Sequence, residues 1–317
     1  MKRQQAFGND AARIDAKTML KGGLHCHTTR SDGKGDPAEV IRLHKQNGYD
    51  FLAITDHRKY NYENFAPEVD ITILPGMEYN NQGMPFEYGS RQFHTVCVGP
   101  AKADGNGYDQ DEVVPAGTAK DQFEYQAYLD EIHAKNNLTI YCHPGWSCTP
   151  ARFFDQMEGN FAMEIWNSTC ALTWNIDSDA AYWDEILGQG KRIFGVASDD
   201  GHGMHAHCNG WVRVNAENNI NAILAALKDG AFYASCGPEI YDFYVDGDKV
   251  VIECSEAATI VLYSDGHVPR FVRAKEGESL TRAEFDAADK RGPYRYWRIT
   301  VTDKNGKRAW TNPIFND

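Results

Sequence analysis

The chain of 317 residues contains no run of 18 apolar residues, so no stretch is suited to cross a bilayer as a helix. Its opening, MKRQQAFGNDAARIDAKTMLKGG, has no apolar core of the kind a secretory signal needs. Eight cysteines are present, but no two form a Cys-x-x-Cys pair. A chain this long needs no disulfides, and reduced thiols in a cytoplasmic protein are the expectation. Positive charge is in deficit: 32 basic side chains against 45 acidic ones give a formal net charge of −13. There is no basic stripe interleaved with aromatics. These two lacks argue against a long nucleic acid and an anionic membrane as partners. They do not exclude a small anionic substrate drawn to a locally positive pocket. Solenoid-length repeats and low-complexity segments are absent too.

What is present has the balance of a folded globular chain, 42% hydrophobic and 24% charged. Over residues 22–230, strand-like and helix-like segments alternate. DPAEVIRLHKQNG reads as a helix: Asp36 can cap it, Pro37 suits its first turn, Glu39 completes a capping box and Gly48 ends it. DFLAITDH, ITILPGMEY, RQFHTVCVG, LTIYCHPG, NFAMEIWN and RIFGVASDDGH read as strands. DQFEYQAYLDEIHAKNN, AAYWDEILGQG and NINAILAALKDG read as helices. The alternation predicts an α/β architecture with a mostly parallel sheet covered by helices. From about residue 236 the pattern changes to strands punctuated by DG and NG turns, which predicts a small all-β sandwich. The expected organisation is an N-terminal extension over 1–20, an α/β unit over 21–235 and a β unit over 236–317.

Polar residues recur where those strands end: His25, His27 and Asp32; Asp56 and His57; Glu78; His94; His143; Asp200 and His202. In α/β folds that rim is where loops from neighbouring strands converge. Side chains alternate along a strand, so His25 and His27 share a face and Cys26 points the other way. Two imidazoles on one face can share a metal ion. Six of the 11 histidines fall in this set, joined by carboxylates, and imidazole with carboxylate is a donor set for Zn²⁺, Mn²⁺ or Fe²⁺. His44 and His133 fall on helices and are expected to be solvated. His205 and His207 follow the last cluster and are placed in a loop; His205 is a candidate substrate contact. Asp56 is expected beside the ligands rather than among them, orienting an imidazole, and is a candidate proton donor. Cys142 and Cys148 are not counted as ligands. Arg58 and Arg91 lie beside the clusters and are candidates to bind phosphate oxygens. Glu164, at the end of a strand, is placed on the pocket wall.

In this order LHCHTTRSDG, AITDH, PGMEY, FHTVCVG, CHPG and SDDGH resemble the polymerase-and-histidinol-phosphatase (PHP) superfamily of metal-dependent hydrolases, over about residues 20–235. The tail, with YASCGPEI and AWTNPIF, looks like that of its stand-alone carbaryl-hydrolase-like branch. The resemblance implies a distorted seven-stranded (β/α) barrel, TIM-like, with two to three divalent metal ions (Zn, Mn or Fe) at the strand ends. It implies His25, His27 and Asp200 on one metal and Glu78 bridging to a second held with His94 and His143. Asp32, His57 and His202 would hold the third. Three such ions against three carboxylates leave the pocket at roughly +3, a place for phosphate oxygens. The expected activity is therefore a phosphoesterase using metal-bound hydroxide on a small phosphorylated metabolite, nucleotide or short oligonucleotide. Glu78, Asp56 and Arg91 are the candidate catalytic residues. Hydrolysis of a carboxylic or carbamate ester or an amide is the alternative, and a non-catalytic metal-holding scaffold the second.

Overall fold

The computed structural model describes residues 4–5, 7, 18–82, 92–102, 106–154, 157–176, 179–266, 268–290 and 293–316. Arg91, among the catalytic and phosphate-binding candidates, lies outside them, as does His267. The strands are β1 (Gln4–Gln5), β2 (Leu20–Gly23), β3 (Phe51–Leu52), β4 (Thr72–Ile73), β5 (Gly76–Gln82), β6 (Gln92–Val98), β7 (Leu138–Tyr141), β8 (Asn160–Asn167), β9 (Phe194–Ser198), β10 (Trp211–Val214) and β11 (Phe232–Ser235). They continue as β12 (Ile240–Asp246), β13 (Lys249–Ala257), β14 (Thr259–Tyr263), β15 (Arg270–Arg273), β16 (Leu280–Asp286), β17 (Tyr296–Thr302), β18 (Arg308–Thr311) and β19 (Ile314–Phe315).

The fold is mixed α/β and rich in sheet. One sheet runs β5-β6-β7-β8-β9, and a ten-stranded one runs β15-β14-β17-β18-β11-β10-β2-β3-β4 with β19 paired to β17. A third sheet, β1-β12-β13-β16, covers the C-terminal strands. The first two meet at both edges. Asp200 N–H donates to His25 O (3.0 Å) and His27 N–H to Gly201 O (3.1 Å). At the other edge Glu78 N–H donates to Thr55 O (3.1 Å) and Arg58 N–H to Glu78 O (2.7 Å). These bonds carry the ladders past the named strands, into the segments that hold the polar clusters.

The expectation of a mostly parallel sheet needs correcting. β2-β3-β4 and β7-β8-β9 are parallel, but β5-β6, β6-β7, β2-β10 and β10-β11 are antiparallel. Between β5 and β6 the connection is too short for the helical crossover that a parallel pair needs. The predicted helices form as Pro37–Gln46, Gln122–Ala134, Ala180–Gly188 and Ile220–Lys228. Asp36 caps the first by accepting from Ala38 N–H (2.9 Å), and Gly48 leaves it at φ 76°. Helix Ser168–Trp174 was not anticipated. No helix among the described residues is long and apolar enough to cross a membrane.

Leu24, Ala53, Leu74, Val96, Ile140, Ala162 and Val196, from seven successive strand runs, form one buried cluster packed on Ile223 and Leu227 of helix Ile220–Lys228. Each Leu, Val or Ile among them stabilises the fold by about 1.5–3 kcal/mol when fully buried, and the alanines by less. This cluster fixes the strands whose ends carry the polar residues.

Candidate metal centre

Six imidazoles and three carboxylates from the strand ends meet around Glu78, which is fully buried. His25 and His27 share a face as their alternation requires. Their Nε2 atoms lie 3.2 Å apart, while Cys26 turns away to pack with Val40, Ile41 and Ile54. Asp200 Oδ1 is 3.3 Å from His25 Nε2 and 3.1 Å from His27 Nε2. Glu78 completes the group at 3.4 Å from His25 Nε2 (Oε1) and 3.3 Å from His27 Nε2 (Oε2). On its far side Glu78 Oε1 meets His94 Nδ1 (3.0 Å) and His143 Nε2 (3.5 Å). Toward solvent, Asp32 faces His27 (3.7 Å), His57 (3.6 Å) and His202 (3.5 Å). Exposure rises along this last group, from a buried His27 to an Asp32 side chain that is 54% exposed, so solvent enters there.

These spacings test whether a metal fits. Four donors bound tetrahedrally at 2.0–2.1 Å stand about 3.3–3.4 Å apart. The His25 Nε2, His27 Nε2 and Asp200 Oδ1 separations of 3.1–3.3 Å match that edge for three donors, and Glu78 turns one oxygen toward each imidazole. Glu78 Oε2 and His57 Nδ1 lie 2.8 Å apart without hydrogen-bond alignment, and neither buried atom has a hydrogen-bond partner among the described residues. Hydrogen bonds alone do not satisfy the cluster; divalent cations would.

Electrostatics within the cluster point the same way. Burial alone raises the Glu78 carboxyl, but His94, His25 and His57 outweigh it and hold it well below the usual carboxylate range. Burial likewise opposes ionisation of Asp200, and His25 and His27 overcome it. His202 and then His57 hold Asp32 low. Burial depresses His57, yet Glu78 and Asp32 carry it up to about 10.

The surrounding residues aim the ligands. Glu164 accepts from His25 Nδ1–H (2.7 Å), which leaves His25 Nε2 free toward the centre. It also accepts from His143 N–H (2.8 Å), Asn167 Nδ2–H (3.0 Å) and the Ser198 hydroxyl. His143 sits at φ 32°, a strained left-handed turn that these contacts hold. Asn167 donates also to Asp200 Oδ2 (3.1 Å). Trp146 packs edge-on against His143, with ring centroids 4.9 Å apart, and stacks on the half-exposed Trp174.

Several expectations change. Glu164 is not on the pocket wall: it is buried, and both oxygens are taken by donors. Asp56 touches no imidazole directly; it acts through Ser31, whose hydroxyl lies 3.4 Å from His27 Nδ1. It is fully buried and accepts from Thr28 N–H (2.9 Å), Thr28 Oγ1–H (2.7 Å) and Ser31 Oγ–H (2.7 Å), ordering the loop that carries Asp32. Arg58 follows His57 at φ 59°, partly buried, with no side-chain partner among the described residues. His205 lies exposed on the turn Met204–Ala206. His44 and His207 are buried, not solvated or loop-exposed. Cys142 was passed over, yet its thiol reaches the His25 and Glu78 donors, and burial raises it well above a free thiol.

No family model matches the chain, and no curated protein matches it. Solved structures do. A two-domain protein from Bacteroides vulgatus containing a predicted PHP-like metal-dependent phosphoesterase is 14% identical, covering 96% of this chain and 98% of its own, at a TM-score of 0.45. An amidohydrolase from Chromobacterium violaceum with bound sulfate and no metal is 15% identical over 57% of this chain and 87% of its own, at 0.42. A candidate metal-dependent phosphoesterase from Bifidobacterium adolescentis is 13% identical over 65% and 96%, at 0.44.

Proposed function

We propose that the chain is a metal-dependent hydrolase, a phosphoesterase for a small phosphorylated compound. In this reading residues 21–235 close as a seven-stranded PHP-type barrel and residues 236–317 form a β-sandwich of the carbaryl-hydrolase-like kind. His25, His27 and Asp200 hold one cation; His94 and His143 hold a second, which Glu78 bridges to the first; Asp32, His57 and His202 hold a third. Zn²⁺, Mn²⁺ and Fe²⁺ all suit the donors. The observation that carries the reading is the 3.1–3.3 Å spacing of the buried His25, His27 and Asp200 donors, brought from distant strands to the side of Glu78.

Divalent cations bound there neutralise charge developing on phosphoryl oxygens and acidify water at neutral pH. The chain's own residues supply position. Glu164 fixes the His25 tautomer, Asn167 aims Asp200, and Ser147 faces His143 Nδ1 at 3.0 Å, leaving Nε2 toward Glu78. The guanidinium of Arg58, beside His57, is a charge-assisted donor for a phosphate oxygen. Loaded, the pocket is positive in a chain of net charge −13, which draws an anionic substrate inward.

The test is elemental analysis of the purified protein together with a panel of phosphate mono- and diesters, carboxylic esters and amides. Two to three ions per chain at the centre around Glu78, with phosphate release, is the expected result. Glu78→Gln is expected to lose bound metal and at least 100-fold in kcat/KM. Bound metal with ester or amide cleavage alone would move the reading to the alternative bond. Bound metal without turnover would make the chain a scaffold. No bound metal and no metal-stimulated activity would sink the proposal.

A further inference from the structure

A second buried cluster stands behind the centre and takes no part in it. His44, on helix Pro37–Gln46, is 1% exposed and donates from Nδ1 to Val40 O (2.8 Å). The proton is thereby fixed on Nδ1, and Nε2 presents a bare lone pair. That atom is 3.9 Å from Asp199 Oδ2, beyond hydrogen-bond range. His207 is 4% exposed and meets His44 edge to face, with ring centroids 5.3 Å apart. Neither of its ring nitrogens has a hydrogen-bond partner among the described residues. Its ring rests on the backbone at Gly201, where a Cβ would sit only 2.4 Å from Nδ1. Asp199 is held in place by three backbone donors: Cys208 N–H to Oδ2 (2.6 Å), and Asn209 and Gly210 N–H to Oδ1 (2.8 Å each). One donor atom from each of His44, Asp199 and His207 lies within 4.8 Å of the other two.

We propose that these three residues bind a structural zinc ion, with water as fourth ligand, separate from the catalytic cations. Two neutral imidazoles and one carboxylate are a zinc donor set, and three protein ligands leave one position for water. Zinc bond lengths set ligand atoms about 3.4 Å apart, so the His44 and Asp199 donors close by about 0.5 Å on binding. The ion gives the orphaned His207 nitrogen a partner. It also ties helix Pro37–Gln46 to the end of β9 and to the 203–210 loop, next to Asp200. The inference does not need the hydrolase reading.

Crystals of zinc-loaded protein, measured above and below the zinc absorption edge, decide it. An anomalous peak is expected between His44, Asp199 and His207, and it should persist in Glu78→Gln while the peaks around residue 78 weaken. In elemental analysis His44→Gln and His207→Gln should each lose one zinc per chain and keep the others. If either variant does not fold, the wild-type crystal decides alone. A water with no anomalous signal at that position, beside occupied sites around Glu78, overturns this proposal and leaves the hydrolase reading standing. An unchanged zinc count in both variants overturns it equally.

Discussion

Glu164 shows how a side chain away from the reacting atoms can govern the site. Its contact with His25 Nδ1 selects the tautomer that turns Nε2 inward, and its second oxygen holds the backbone of His143. Glu164→Gln keeps the shape but removes the charge that favours the Nδ1–H tautomer. The expected loss is about 10–100-fold in metal affinity, read by competition with a chelator, with a matching fall in kcat/KM. A second residue-scale prediction concerns pH. Burial, then His44, lowers His207 to about 4. The unfolded chain takes up that proton near pH 6.5 and the folded chain only near 4, so falling pH favours unfolding between those values. In metal-free protein this residue contributes stability of up to about 3 kcal/mol, complete above pH 6.5 and gone below pH 4. Denaturant titrations at several pH values should show His207→Gln with a shallower decline over that window than wild type. Equal slopes would mean that His207 does not titrate there.

At the scale of elements, the strand ends do the placing, and this part was legible beforehand. A period of two put His25 and His27 on one face, and polar residues at the ends of successive strands marked a common rim. The groups that meet in space join residues far apart in that order, Asp200 with His25 and His27, and His202 with Asp32 and His57. What was not legible depends on tertiary partners. Nothing local tells Glu164 from a pocket residue until the ring of His25 is found 2.7 Å away. His44 was expected in solvent because it lies on a helix, yet it falls on the face of Val40 and Ile41, where Tyr49 and His207 close over it. The antiparallel β5-β6 pair was hidden because a strand's residues do not state its direction. Helix Ser168–Trp174 was hidden because its start is set by Asn167, which accepts from Cys170 N–H (3.0 Å). That same side chain donates to Glu164 and Asp200. Asn167→Ala therefore removes a cap, at about 1 kcal/mol, and two buried donors to carboxylates. A lower melting temperature and weaker metal binding together are expected. Asn167→Asp should restore much of the cap but not the metal affinity, since it sets a third carboxylate against Glu164 and Asp200.

For the whole molecule, the question is whether the metal-binding part stands alone. A boundary near residue 235 suits the change in sequence pattern, yet the ten-stranded sheet runs through it, with β18 paired to β11 from Tyr233–Thr311 to Ser235–Ala309. Trp310 and Tyr296 are 1% and 2% exposed in a cluster shared with Ile165, Trp183 and Ala234. Asn312 accepts from Gly195 N–H (3.0 Å) on β9, four residues before Asp199. Arg298, 1% exposed, pairs with Asp184 on helix Ala180–Gly188. A chain ending at residue 235 loses the burial of two large aromatics, about 2–3 kcal/mol each. It also leaves Asp184 without its partner and exposes the edge of β11 for aggregation. Set against a total stability of about 5–15 kcal/mol, these losses remove most of the margin. The expected outcome for residues 1–235 is loss of a cooperative thermal transition and of stoichiometric metal. A sharp melt with the full complement of ions would show instead that the two parts fold independently and that the shared sheet is only a contact between them.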